Sequence, residues 1–160
     1  ENGIRRYLIE GKKLPSVTSI LDATKSEEDK AALANWRERT GQKESEAIVK
    51  AASSRGSKMH AYLESYLLGQ QNMSFFDDDE QYKKMAKQII EKGLNNRFEE
   101  IWGVECTLFK PEAYSGTCDA VGIYDGKESI IDFKQSNKPK KIEYIDTWLL
   151  QTAAYSLAHN

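Results

Sequence analysis

The stretch between Tyr114 and Gln135 restricts the fold of this chain more than any other. Two runs rich in Val, Ile, Tyr and Thr flank Asp125-Gly126, a dipeptide typical of two-residue hairpin turns. Such a turn sets Tyr124 opposite Lys127 and determines the register of both strands outward from there. The sequence therefore predicts an antiparallel β-hairpin whose facing residues can be counted.

Three charged side chains share one face of this hairpin. Counting outward from the turn sets Asp119 opposite Asp132, with Cβ atoms roughly 4.5–5.5 Å apart. Lys134 lies two residues beyond Asp132 and so points to the same face. Opposed like charges destabilise a sheet, so we expect a cation between them, and carboxylate ligands suit Mg²⁺ or Mn²⁺. A structural alternative is a cross-strand salt bridge between Asp119 and Lys134, with Asp132 capping the end of its strand.

A histidine upstream of the hairpin extends this candidate site. Helical spacing sets His60 on or beside the buried face of a helix over 57–68. A lone histidine there is usually a packed core or border residue, but beside two carboxylates it can serve as a third protein ligand. Gly56, one turn earlier, would allow a strand or a DNA backbone to approach closely. Glu105, in an alternating strand over 102–109, is a further candidate carboxylate whose register no tight turn fixes.

Four short motifs follow one another along the chain: Arg55-Gly56-Ser57-Lys58-Met59-His60, Gly116-Thr117-Cys118-Asp119, Ile131-Asp132-Phe133-Lys134 and Gln151-Thr152-Ala153-Ala154-Tyr155. In this order they resemble the PD-(D/E)XK nuclease superfamily, and the first and last resemble its RecB-like exonuclease branch, which includes phage exonucleases. The resemblance extends from Leu14 to the C-terminus. The chain departs from the pattern twice, because Cys118 stands where the family name has proline and Gln135 follows the lysine where Thr or Ser is more usual.

This resemblance implies a metal-dependent nuclease that hydrolyses the phosphodiester bonds of DNA, as an exonuclease and on single strands. The Mg²⁺ or Mn²⁺ ion would be held by His60, Asp119, Asp132 and the backbone carbonyl of Phe133. The metal would polarise the scissile phosphate and lower the pKa of a bound water. Lys134 would orient that water and stabilise the developing charge, supported by Gln151 and Tyr155 on the last helix.

The DNA contacts are expected near the predicted helix that carries His60. Arg55, Ser57 and Lys58 would bind the nucleic acid, because Arg55 and Lys58 flank the N-terminus of that helix, where phosphate binds readily. Two alternatives to an exonuclease stay open. One is a non-catalytic nucleic-acid-binding module of the same fold, and the other is an endonuclease or junction resolvase.

The order of helical and strand segments predicts an α/β protein. With the resemblance, this becomes a restriction-endonuclease-like core, in which helices flank a mixed β-sheet beside a helical N-terminal lobe. We expect one nuclease domain over 1–160, with the helical lobe over about 16–100 and the catalytic sheet and following helix over about 101–160. Because the chain begins at Glu1 and ends within a helical pattern, we expect further residues beyond both ends.

Capping residues and breakers predict the limits of the first helices. Ser16 or Thr18 would begin a short helix, and Ser26 would begin a longer one in which Trp36 is expected to lie in the core. Ser53-Ser54-Arg55-Gly56 would break or bend the helix that follows. Two later packing stripes come after a loop over 71–76 and the acidic run Asp77–Glu80: Met85, Ile89, Leu94 and Phe98 on one helix, and Leu150, Ala154 and Leu157 on a final helix from about Tyr144.

Charge and cysteine content restrict the partners. The net charge of −2 is unusual for a nucleic-acid-binding domain, but a bound metal would neutralise the site carboxylates, and Lys138, Lys140 and Lys141 follow Lys134 closely.

The two cysteines, Cys106 and Cys118, make no disulfide framework and are too few for a four-cysteine iron–sulfur cluster. With no membrane-spanning run, we expect a reducing compartment, either the cytoplasm of a bacterial or phage-infected cell or the mitochondrial matrix.

Overall fold

A computed structural model describes residues 5–70 and 80–160 of the chain. The strands are β1 (Arg6–Ile9), β2 (Lys12–Pro15), β3 (Phe98–Lys110), β4 (Tyr114–Tyr124) and β5 (Lys127–Ile131). The helices are α1 (Val17–Ala23), α2 (Glu27–Thr40), α3 (Gln42–Leu67), α4 (Gln81–Ile89) and α5 (Asp146–His159), with a π-helical turn at Ile90–Leu94 and a 3-10 turn at Ile142–Tyr144. The predicted α/β class is confirmed. The loop expected at 71–76 and the acidic residues at 77–79 lie outside the described residues.

The hairpin of β4 and β5 has the register that its turn predicts. Tyr124 faces Lys127, and the pairing continues in step to the end of β5. Both turn residues have positive φ, 48° at Asp125 and 72° at Gly126, as a type I′ hairpin turn requires. Because β3 pairs with the other edge of β4, the strand that carries Asp119 is the central one of a three-stranded antiparallel sheet.

The smaller sheet, formed by β1 and β2, joins the larger one through a parallel contact. Ser16, just after β2, forms a parallel bridge with Ser115 in β4. Tyr7 in β1 also reaches β4, because its hydroxyl lies 3.2 Å from Thr117 Oγ1. The two sheets together thus contain both antiparallel and parallel pairing, as expected for the predicted mixed sheet, with α1, α3 and α5 packed against β3 and β4.

The first two helices begin at the predicted caps. Ser16 Oγ accepts the Ser19 N–H at 3.0 Å, and Ser26 Oγ accepts the Asp29 N–H at 3.1 Å. The expected core position of Trp36 is wrong, because its side chain is only half-buried and α2 contributes no buried residue. The reason is that α2 packs mainly against α3 and not against the sheet.

A single helix replaces the predicted break at Ser53-Gly56. The α3 helix runs without interruption from Gln42 to Leu67. A glycine inside a helix costs only about 1 kcal/mol, and tertiary contacts offset that amount here. Gln135 donates to the Ala52 carbonyl at 2.5 Å, while Met59 and Leu63, about two and three turns further along, are fully buried. Consequently no helix begins at Ser57, and the helix N-terminus on which the phosphate site was predicted is wrong.

Two apolar clusters hold the helices to the strands. One of them contains Met59, Leu63, Ala86, Leu94 and Phe133. Phe98 packs against it as predicted but from β3, so the helical stripe expected to reach Phe98 is wrong. The helix ends earlier because the π-helical turn closes at Leu94 and Asn96 adopts a φ of 58°, a conformation that asparagine tolerates well.

The final helix buries its polar face. Gln151 and Tyr155 are 6% and 3% exposed, whereas Leu150 and Leu157 are 56% and 61% exposed. The packing stripe predicted through the leucines is therefore wrong at those two residues. The carboxylate of Asp132, the first residue after β5, lies within reach of α5, and the Gln151 amide hydrogen-bonds to it. Within residues 5–70 and 80–160, no helix has the length and apolar character that crossing a membrane requires.

Candidate active site

The two aspartates of the hairpin lie beside one polar cavity. Ala120 pairs with Ile131, and the next position outward in this register sets Asp119 against Asp132. Asp119 is 7% exposed, and the Asp132 side chain is 6% exposed. The cavity has a volume of about 390 Å³. Most of the predicted catalytic and metal-binding side chains line it: His60, Asp119, Asp132, Lys134, Gln151 and Tyr155.

Asp119 is held by hydrogen bonds from two different elements. Its Oδ1 lies 2.7 Å from His60 Nδ1 on α3, and its Oδ2 accepts the backbone N–H of Phe133. The bond to Asp119 raises the pKa of His60 above its ordinary value, although burial of the ring acts in the opposite direction. The His60 ring also meets the Phe133 ring edge-on, with centroids 6.4 Å apart. The contact between Phe133 and Asp119 is thus made by the N–H, while the carbonyl was the group predicted as a ligand.

Asp132 belongs to a second polar chain, which leads into α5. Lys134 Nζ donates to its Oδ2, and Gln151 Nε2 lies 3.3 Å from its Oδ1. The same Gln151 nitrogen donates to the Tyr155 hydroxyl at 2.8 Å. Burial raises the pKa of Asp132, and the ammonium of Lys134 partly offsets that rise. Lys134 therefore pairs with Asp132, and the alternative salt bridge with Asp119 is not the one formed.

A glycine allows Tyr155 to reach this chain of contacts. A Cβ atom at Gly116 would lie only 2.4 Å from Cε1 of the Tyr155 ring, so the ring packs directly on the backbone of β4. Burial raises the pKa of the Tyr155 hydroxyl to about 12. The phenol therefore stays protonated near neutral pH and can accept from Gln151 while donating its own proton. The close packing of Tyr155 therefore explains why the motif has a glycine at position 116.

Glu105 joins the first aspartate as a further carboxylate. The pairs Val104–Ala120 and Cys106–Cys118 enclose it, so Glu105 stands across from Asp119. One ligand atom each from His60, Glu105 and Asp119 lies within 4.8 Å of the others. Burial, followed by the negative charges of Asp119 and Glu64, raises the pKa of Glu105.

The position of Glu105 could have been counted from the sequence. Lys110 pairs with Tyr114 across a three-residue loop, in which Glu112 has a φ of 61°. Such a loop is a common hairpin connection, and Pro111 is a signal for it. Counting from that turn sets Glu105 opposite Asp119. Glu105 itself has a φ of 50°, an uncommon conformation for a glutamate that is often found at functional sites.

The predicted DNA-binding residues do not all meet at the cavity. Ser57 lines it, together with Gly56. Arg55 instead donates to Gln135 Oε1 at 2.6 Å and to Asn137 Oδ1 at 2.8 Å, in the segment after Lys134. Lys58 Nζ lies 4.0 Å from Glu80, at the start of α4, and 5.3 Å from the Tyr82 ring centroid.

The close approach expected at Gly56 is made by a side chain of the protein itself. A Cβ atom at Gly56 would lie 3.0 Å from Gln135 Nε2. Gln135, the residue that departs from the family pattern after the lysine, therefore links α3 to the strand end that carries Asp132 and Lys134.

Replacing Glu105 tests whether these carboxylates repel one another. In chelator, Glu105→Gln should raise the melting temperature, because it removes a charge that faces two others, an effect of up to about 1 kcal/mol. Added Mn²⁺ should then raise the melting temperature less than it does in the wild type. Thermal denaturation followed by circular dichroism measures both, with Glu128→Gln on the exposed edge of β5 as the control. Equal behaviour of the two variants would contradict a shared site.

Comparison with known proteins identifies two relatives, and no family model matches the chain. The chain is 32% identical over 139 residues to Mitochondrial genome maintenance exonuclease 1 of Mus musculus, an alignment that covers 81% of this chain and 39% of the relative. It is 29% identical over 156 residues to the protein of the same name from Homo sapiens, covering 92% and 44% respectively. The chain thus spans about two-fifths of the length of these curated relatives, both of which are named as exonucleases.

Proposed function

We propose that this chain carries the catalytic centre of a metal-dependent DNA exonuclease of the PD-(D/E)XK type, in its RecB-like branch, which acts on single strands. One observation carries the proposal: His60, Asp119, Asp132 and Lys134 come from three motifs that are far apart in the sequence, and all four line one cavity. The names of the two relatives support the exonuclease activity. The whole of residues 1–160 would belong to this single nuclease domain.

The candidate ligand atoms in the cavity suit a divalent cation that prefers oxygen ligands. We propose that His60, Asp119 and Asp132 hold Mg²⁺ or Mn²⁺, with the Phe133 carbonyl as a backbone ligand and Glu105 as an added carboxylate. Carboxylate oxygens suit these ions, and a neutral imidazole is a common metal ligand in proteins. When bound, the metal supplies Lewis-acid activation of a phosphoryl oxygen and a water of lowered pKa.

Each remaining residue has a part that its contacts support. Lys134 brings an ammonium to the cavity, where it would stabilise charge that develops on the phosphoryl oxygens. Gln151 holds the Asp132 carboxylate from the other side and is itself held by Tyr155. Because these groups are positioned before substrate arrives, little reorganisation would be needed during the reaction.

The polar contacts favour an enzyme over a non-catalytic binding module. A module that only binds nucleic acid has no need to bury Asp119 and Asp132 near each other, since buried carboxylates are costly unless they are paired or bind a metal. Here every predicted catalytic side chain is present and at least partly buried. The endonuclease alternative differs in the substrate ends it requires, so cleavage of closed circles separates the two.

A panel of labelled DNA substrates tests the proposed activity. We expect the purified chain, with Mg²⁺ or Mn²⁺, to release short products from linear single strands and to leave circular single strands intact. Linear duplexes should be degraded more slowly. Chelator should stop all hydrolysis. Efficient cutting of circles would favour the endonuclease, and tight DNA binding without hydrolysis in either metal would favour the non-catalytic module.

Loss of His60 should weaken metal binding more than folding. The His60 side chain is 30% exposed, so its truncation removes little buried area. We expect His60→Ala to lose most of its hydrolysis at low Mg²⁺ and to recover part of it at high Mn²⁺. The chain has one other histidine, the exposed His159 at the end of α5, which provides a matched control. If His60→Ala unfolds, or if Mn²⁺ restores nothing, His60 is a packing residue and no ligand.

A further inference from the structure

Arg5 lies on the wall that the β1–β2 hairpin contributes to the cavity. Two backbone contacts hold it to the segment that begins α1. Its carbonyl accepts the Ser16 N–H at 2.9 Å, and its N–H donates to Ser19 Oγ at 3.1 Å. The backbone of Arg5 is therefore positioned by the same serine that joins the small sheet to β4.

The side chain of Arg5 is positioned by an aromatic ring. Its guanidinium carbon lies 5.0 Å from the centroid of the Tyr7 ring, a cation–π geometry that orients the planar group. The Tyr7 hydroxyl in turn lies 3.2 Å from Thr117 Oγ1, two residues before Asp119 on β4. Arg5 is thus connected by direct contacts to the strand that carries the proposed metal ligand.

The charges in the cavity distinguish Arg5 from the other cations there. Lys134 is paired with Asp132, and His60 is hydrogen-bonded to Asp119. Among residues 5–70 and 80–160, Arg5 forms no ion pair with a carboxylate. Its exposed guanidinium carries five donors in a planar fork, a shape that matches two oxygens of a phosphate.

We propose that Arg5, held over Tyr7, binds a backbone phosphate of the nucleic acid next to the one at the metal site. This inference rests on the proposed function, because it assigns a phosphate subsite to the same cavity. A contact to phosphate carries no sequence information, so Arg5 would contribute affinity and register for any base sequence. It would place one strand across the wall formed by β1 and β4.

The neighbouring Arg6 provides a matched control. It has the same charge and is also exposed, but it is the first residue of β1, directly after Arg5, and its side chain lies on the opposite face from Arg5 and Tyr7. We would measure binding of a fluorescein-labelled single-stranded oligonucleotide of mixed sequence by anisotropy. Ca²⁺ would replace Mg²⁺, and the measurement would cover a range of salt concentrations.

Arg5→Ala should weaken binding about tenfold, the scale of a hydrogen-bonded charged contact. The slope of log K against log salt should fall by about 0.7, the value for one lost phosphate contact on a single strand. Arg6→Ala should change neither quantity by a comparable amount. Arg5→Lys should keep the salt slope and lose part of the affinity, because it keeps the charge without the planar fork. This last variant also supplies the test if Arg5→Ala does not fold.

Several results would contradict the phosphate subsite at Arg5 without contradicting the proposed exonuclease function. Equal effects of Arg5→Ala and Arg6→Ala, or wild-type binding by Arg5→Ala, would remove Arg5 from the DNA contacts even if hydrolysis is normal. No binding of the oligonucleotide by the wild type would also overturn it. Conversely, Arg5-dependent binding with no hydrolysis in Mg²⁺ or Mn²⁺ would support the phosphate contact and contradict the proposed catalysis.

Discussion

Lys134→Ala is expected to lower the rate of metal-dependent DNA hydrolysis about a hundredfold to a thousandfold, while the protein stays folded. The ammonium is the one lysine group that lines the cavity among the described residues, and its Nζ donates to Asp132. Removing a charged donor aimed at developing negative charge costs on the order of 10²–10³ in rate in comparable sites. Asp132→Ala should have an effect of the same order, because Asp132 holds Lys134 and is a proposed ligand.

Single-turnover hydrolysis of end-labelled DNA at saturating Mg²⁺ measures this loss, and circular dichroism confirms that the variant is folded. Lys138→Ala is the matched control, since Lys138 is exposed four residues further along the same segment. Its rate should equal that of the wild type at saturating DNA. If Lys134→Ala retains a near-normal rate, the cavity is not the site of hydrolysis.

Asp119→Asn is expected to abolish hydrolysis and most of the stabilisation that Mn²⁺ gives to the folded protein. A ligand that binds the native state alone stabilises by RT ln(1 + [L]/Kd), about 2.7 kcal/mol at a hundredfold excess over Kd. The substitution removes one proposed carboxylate ligand with almost no change in shape. Its side-chain carbonyl can still accept the Phe133 N–H, so the strand end should remain in place.

The stability of Asp119→Asn in chelator has two opposing contributions. Loss of the charge relieves repulsion from Glu105 and Asp132, a gain on the order of 1 kcal/mol. It also weakens the bond to His60, which lowers stability. We therefore expect the metal-free variant to lie within about 1 kcal/mol of the wild type. Thermal denaturation with and without Mn²⁺ measures both parts, and a full Mn²⁺ shift in the variant would exclude Asp119 as a ligand.

The hairpin was predictable because its register depends on a local turn. Asp125-Gly126 requires positive φ at both positions, and everything from Tyr124 to Asp119 then follows by counting. Counting from the three-residue loop at 111–113 likewise gives the register of β3 as far as Glu105. The register of the earlier part of β3 cannot be obtained by counting, because bulges lie between Phe98 and Gly103. Local turn chemistry therefore accounted for the central part of the site.

The helices were less predictable because tertiary contacts outweigh local propensity. Gln135 supports α3 at Ala52, where a small-residue run predicted a break. On α5, the leucine stripe is exposed because the helix turns its Gln151 face inward, where Gln151 hydrogen-bonds to Asp132. Both partners are distant in sequence, so no spacing within either helix could reveal them. Arg5 was missed for the same reason, since its place at the cavity depends on a bridge between Ser16 and Ser115.

The most direct test of the central claim compares nucleotide release from linear single-stranded DNA by the wild-type chain and by Asp132→Asn, side by side in Mg²⁺. Asp132→Asn keeps the side-chain size and an acceptor for Lys134 but removes the negative charge of a proposed metal ligand. We predict that the wild type releases labelled nucleotides in Mg²⁺, that chelator stops this release, and that Asp132→Asn releases none above background. Release by Asp132→Asn at the wild-type rate, or release by the wild type in chelator, would contradict a metal-dependent centre at this cavity.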